Sequence, residues 1–174
     1  MQSASLWLAV VVASAAAAVT VGNPARAQAA ASSVVVEKEV SGYVRETKVL
    51  HKTMGRMRPS GFYRIDPDHL GQSYMVWSGR LTRARKAYHR PPHESAWMCI
   101  HRFEGSWTDG GAPYYGGLQM DWAFMHTYGG RFLRLKGVAS NWTPLEQMWT
   151  AEAAYRAGRG FYPWPNTARM CGLL

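Results

Sequence analysis

The carboxylates that could do chemistry are few and lie close together in the chain. Glu104 stands one residue before Gly105, at the end of an aromatic-rich stretch, and the glycine- and tyrosine-rich run from Trp107 to Gln119 follows it. An acid at the mouth of a cleft walled by Trp107, Tyr114 and Tyr115 is partly desolvated, and desolvation favours the protonated form of a carboxyl. That form is what a general acid needs in order to donate a proton to a glycosidic oxygen. The plain alternative is an exposed glutamate near a helix end, and local spacing on its own favours it. Asp109 and Asp121 are the carboxylates available for a second role. Yet Asp109-Gly110-Gly111 reads as an ordinary turn, and Asp121 opens a helix, where a negative charge is favourable in any case.

Other chemistries have weaker support. His101 and His126 are not spaced as a metal pair, and Ser106 has no base at a telling distance in the sequence. No metal and no cofactor is therefore expected. The run Tyr114-Tyr115-Gly116-Gly117-Leu118-Gln119 suits sugar binding. Aromatic faces stack on pyranose rings, glycine lets a backbone approach a ligand, and a glutamine offers both donor and acceptor. A loop packed by its own tyrosines explains the same residues equally well.

The elements that must position these residues lie after Pro92. Six of the eight tryptophans fall there, enough aromatic area to build the core of a small domain. His93 to Phe103 reads as a helix, with Trp97, Ile100 and Glu104 recurring at three and four residues and Gly105 as its stop. Residues 106–117 read as a loop with at most a tiny hairpin, and 118–128 as a second helix ending at Gly129-Gly130. The third helix carries the clearest signal: Thr143 as cap, Pro144 in the first turn and Glu146 completing a capping box. Leu145, Met148, Trp149, Glu152 and Tyr155 trace its inner stripe, and Gly158 or Gly160 ends it. A last turn or short helix spans 166–170. The fold class is mainly α.

The chain has 174 residues and a net charge of +9. Residues 1–27 read as a signal peptide, with an apolar, alanine-rich run and Ala25-Arg26-Ala27 as the cleavage site. A retained membrane helix is the alternative, although the run of about 16 residues is short against a span of about 20. Residues 28–92 read as a basic, partly ordered or disordered linker. A short helix over 37–52, broken at Gly42, is the element it could hold, and Tyr74 to Trp77 could add a short strand or aromatic anchor. Glycine and proline at such density from 55 to 92 argue against a single core element. The charge admits nucleic acid, a membrane surface or another polyanion as partner; export argues against nucleic acid and for an anionic wall. The cluster Arg80, Arg83, Arg85, Lys86 and Arg90 is expected to be solvated and to hold anionic wall polymers. Outside the cytoplasm, Cys99 and Cys171 are expected to pair as a disulfide closing about 70 residues, worth roughly 4 kcal/mol.

In order, Trp97, Cys99, Glu104-Gly105, Trp107, the Tyr114 to Met120 run, Tyr128-Gly129-Gly130, Glu146-Gln147, Ala151-Glu152, Tyr155 and Gly160 to Pro165 resemble the transglycosylase-like domain of the resuscitation-promoting factors of actinobacteria. The resemblance covers residues 93–174. It implies a compact lysozyme-like domain that holds peptidoglycan glycan strands. It also implies that Glu104 is the lone catalytic acid, cleaving between N-acetylmuramic acid and N-acetylglucosamine, with Trp107, Tyr114, Tyr115, Gly117 and Gln119 contacting substrate. Completion by the muramoyl 6-hydroxyl or by water stays open. The family pattern has a cysteine directly before the glutamate; here Phe103 takes that place and Cys99 lies five positions back, its expected partner displaced to Cys171. The implied setting is a secreted, wall-associated monomer that remodels the wall or acts in resuscitation, with a second wall hydrolase as a further partner. The competing reading is a wall-binding protein with little or no catalysis.

Overall fold

The computed structural model describes the backbone from Pro24 and the side chains from Ser32 to Leu174. The proposed signal peptide therefore lies, up to residue 23, outside the described residues. Seven α-helices and no β-strand are present among the described residues. One antiparallel bridge, Tyr115 with Met120, is the whole of the expected hairpin.

Helix α1 (Pro24–Thr53) and helix α2 (Leu70–Tyr88) pack side by side and run in the same direction, the 54–69 connection returning along them, in place of the linker expected over 28–92. Val40 and Val44 on α1 meet Trp77 on α2, and Thr47 and Leu81 one turn further along are buried as well, each set spaced by three or four residues. Glycine inside a helix costs about 1 kcal/mol, so Gly42 does not break α1 against that burial. The glycines and prolines that argued against an element crowd into 55–71 and 91–92 and leave α2 nearly clear of them. Tyr74 to Trp77 are helical, not a strand.

The α1–α2 pair docks on the rest of the chain. Trp149 on α6 (Pro144–Ala154) stacks on Tyr88 with ring centroids 5.9 Å apart, and its Nε1 donates to the Tyr88 carbonyl at 2.8 Å. Met54 and Ala84 close the same cluster.

The C-terminal unit surrounds Trp97, Ile100, Leu118, Met125, Trp142 and Trp164, all buried. Trp97 and Ile100 lie on α3 (Glu94–Glu104), one residue displaced from the expected helix. The expected helix over 118–128 is shorter, α4 (Trp122–Tyr128), because the bridge at Tyr115–Met120 holds the preceding residues in turns. Helix α5 (Gly130–Lys136), which sequence reading missed, follows at once and buries Phe132. The capping box of α6 forms as expected: Glu146 N donates to Thr143 Oγ1 and Thr143 N to Glu146 Oε2. Helix α7 (Pro165–Met170) ends at Cys171, whose disulfide to Cys99 joins α3 across 72 residues. Closing a loop of that size restricts the unfolded chain by roughly 4 kcal/mol.

Candidate active site

Helix α3 brings Glu104 to the edge of the core. Glu94 lies in its first turn and His101 and Arg102 in its last, the arrangement that complements the helix dipole. Gly105 ends it with a positive φ of 149°. A side chain there would stand 3.3 Å from Asp109 Oδ2 and 3.4 Å from Gln119 Nε2, so the 109–119 loop packs directly against the residue that follows Glu104.

Glu104 is half-buried, and its Oε1 accepts a hydrogen bond of 2.7 Å from Thr167 Oγ1 on α7. The same hydroxyl makes a longer approach of 3.4 Å to the Trp164 carbonyl. Among the described residues this neutral hydroxyl is the hydrogen-bond partner of the Glu104 side chain. Its carboxyl keeps free lone pairs for an incoming group.

The other two acids are occupied. Asp109 accepts from Gly111 N at 3.0 Å through Oδ1 and from Gln119 Nε2 at 2.9 Å through Oδ2. Asp121 caps α4, accepting from Phe124 N at 2.7 Å. Both geometries match the turn and helix-start alternatives. Ser106 Oγ faces Thr108, and His126 is exposed on α4. Among the described residues no group of three or more His, Cys, Asp or Glu could hold a metal ion.

A cavity of about 250 Å³ opens beside this loop, lined by Tyr114, Gln119, Asp121, Tyr128, Arg159 and Trp164 among others. Tyr114 is 50% exposed and presents an aromatic face there. Gln119 has a φ of +46°, a left-handed conformation that costs a side-chain-bearing residue roughly 1 kcal/mol. Its Nε2 holds the loop by donating to Gly116 O and Asp109 at 2.9 Å each. Trp164 Nε1 donates to Leu118 O at 2.6 Å and fixes the preceding residue of the same loop.

Glu104 is not among the residues that line that cavity, and neither is every residue expected to bind substrate. Trp107 is half-buried, with its ring stacked on His101 at 3.9 Å, and Tyr115 packs against the core. Gly117 is buried beneath that stack: an added Cβ would lie 2.5 Å from His101 Nδ1 and 2.7 Å from Trp107 Cε3. The close approach that requires glycine here is to protein, while His101 Nδ1 donates to the Gly117 carbonyl at 3.2 Å. Tyr114 and Gln119 thus face the cavity, and Trp107, Tyr115 and Gly117 support the loop that carries them.

Three polar residues organise the site through partners distant in the chain. Thr167 reaches Glu104 across 63 residues. Gln147, fully buried, donates to the carbonyls of Trp107, Ala139 and Trp142 at 2.8, 2.9 and 3.2 Å. Glu152, expected on the inner stripe of α6, is buried there and accepts from Trp97 Nε1 at 2.9 Å and from His93 N at 2.8 Å, locking α6 to the start of α3. No protein-family model, curated protein or solved structure matches this chain.

Proposed function

We propose that residues 93–174 cleave the peptidoglycan glycan backbone between N-acetylmuramic acid and N-acetylglucosamine, with Glu104 as the lone general acid, in a protein secreted to the cell wall. The observation that carries this reading is the contrast among the site's acids. Asp109 and Asp121 are committed to holding the loop and capping α4, whereas Glu104 is half-buried with one neutral donor. The cavity beside Gln119, with the exposed ring of Tyr114, offers a surface for a sugar ring.

In this mechanism the Glu104 proton passes to the glycosidic oxygen as the bond from that oxygen to the muramoyl C1 breaks. The resulting carboxylate then takes the proton of the attacking hydroxyl. If that hydroxyl is the muramoyl 6-hydroxyl, a 1,6-anhydro end forms; if it belongs to water, a reducing end forms. The test incubates the purified chain and its Glu104→Gln variant with wall sacculi and identifies released muropeptides by mass. General acid catalysis contributes about 100- to 10,000-fold, so the variant is expected to lose release by that factor. Equal release by both proteins would sink the enzymatic reading, and binding of sacculi without release leaves the wall-binding one.

A further inference from the structure

A second cavity, of about 360 Å³, lies on the far element of the molecule, between the end of α1, the 54–69 connection and α2. Its polar lining consists of Arg56, Arg58, Arg80, Arg83 and His51, with Phe62 as its aromatic floor, and it contains no carboxylate. Among the described residues none of the four arginines has an acidic partner within 4.0 Å, whereas the neighbouring Arg85 is held by Glu46 at 2.7 Å. The basic cluster of the sequence therefore divides: Arg85 is neutralised by Glu46 across the α1–α2 pair, and Arg80 and Arg83 turn to a shared pocket with two arginines from the connection.

The pocket is also pre-shaped. The Arg80 guanidinium sits 4.2 Å from the Phe62 ring centroid and 4.5 Å from that of Trp77, and it donates to the Phe62 carbonyl at 3.4 Å. Stacking on two rings removes the conformational freedom an exposed arginine would lose on binding. His51 on the opposite wall bonds the Tyr63 hydroxyl through Nδ1 at 2.8 Å. Its imidazole is held below the usual histidine range, by burial first and then by the charges of Arg58 and Arg56. The cationic field is thus felt inside the pocket and not only on the surface.

We propose that this pocket binds a phosphate group, carried as a monoester or diester on a larger anion. Four guanidiniums match the tetrahedral oxygens of phosphate through paired N–H donors, a fit that a carboxylate chain satisfies less completely. Small-ligand pockets begin at about 300 Å³, so the volume admits the phosphate together with part of the sugar or polyol that bears it. The site is separate from Glu104 and stands whether or not the chain cleaves glycan.

The test titrates the full chain with three phosphate sources in parallel: inorganic phosphate, synthetic poly(glycerol phosphate) and phosphatidylglycerol vesicles. The His51 ring resonances are followed by NMR. A bound phosphate opposes the two arginine charges, so the His51 titration is expected to move upward with the soluble probes. The double variant Arg56→Gln/Arg83→Gln is expected to weaken poly(glycerol phosphate) binding at least about tenfold, since bonds to charged groups are the strong ones. Lys86→Gln/Arg90→Gln removes the same net charge from exposed positions outside the pocket and should weaken it less than about twofold, the scale of a screened surface charge. Circular dichroism checks that both variants keep their helix content. Equal weakening by the two doubles, equal competition by polyglutamate, or a response confined to vesicles would each overturn the proposal.

Discussion

Glu104 and Glu152 are the same residue type in one C-terminal unit, and the regions around them place them in opposite chemical situations. Glu152 is 1% exposed and saturated: the Trp97 indole, the His93 amide and the His93 ring all converge on its carboxylate. Glu104 is half-buried, closes a helix and accepts from one hydroxyl. A buried carboxylate surrounded by fixed donors is a structural part, because any change of its charge leaves those donors without a partner. One held by a single neutral donor at the edge of the core retains capacity for an incoming group. The difference is one of donor count and burial, and neither is visible from residue type.

That comparison can be broken by exchanging the effects of substitution. Glu104→Gln keeps an oxygen for Thr167, so it is expected to leave the thermal midpoint nearly unchanged while abolishing glycan release to the extent given above; a large loss of stability would place Glu104 with the structural acids. Glu152→Ala should do the reverse. It strands the buried Trp97 Nε1 and removes the partner of His93, a loss of about 3 kcal/mol measurable by urea unfolding. A smaller change, near zero, would show that the convergence on Glu152 is not holding α6 to α3. Thr167→Val sharpens the distinction at the smallest scale. Removing one hydrogen bond to Glu104 while keeping side-chain shape should cost about 1 kcal/mol and reduce glycan release without abolishing it. If release is untouched, the hydroxyl is not what orients the acid.

How much of this was legible depends on how far apart the partners lie. The box at Thr143 and Glu146 was legible because both hydrogen bonds close within three residues. Helix α3 was legible to within a residue for the same kind of reason: its stripe and its stop at Gly105 are adjacent in the chain. The α1–α2 pair was not. Counting glycine and proline over 55–92 averaged a turn-rich connection with the nineteen-residue helix that follows it. The spacing of Ser73, Trp77, Leu81 and Ala84 carried the signal that this average concealed. Tyr114 and Gln119 were legible as cavity residues, whereas Trp107 and Gly117 owe their places to His101, which stacks over both from α3.

By itself the sequence determined the mainly helical class, the helix caps and stops, the excess of cations and the pair of thiols available to close the chain. These follow from backbone preferences and from partners three or four residues apart, where geometry leaves little choice. Only the tertiary structure decided which glutamate was saturated, which loop glycine served packing, and which arginines faced a common pocket while Arg85 found Glu46. Those outcomes depend on contacts between residues from 16 apart, as in His101 with Gly117, to 63 apart, as in Glu104 with Thr167, and packing of the helices, not local spacing, sets them.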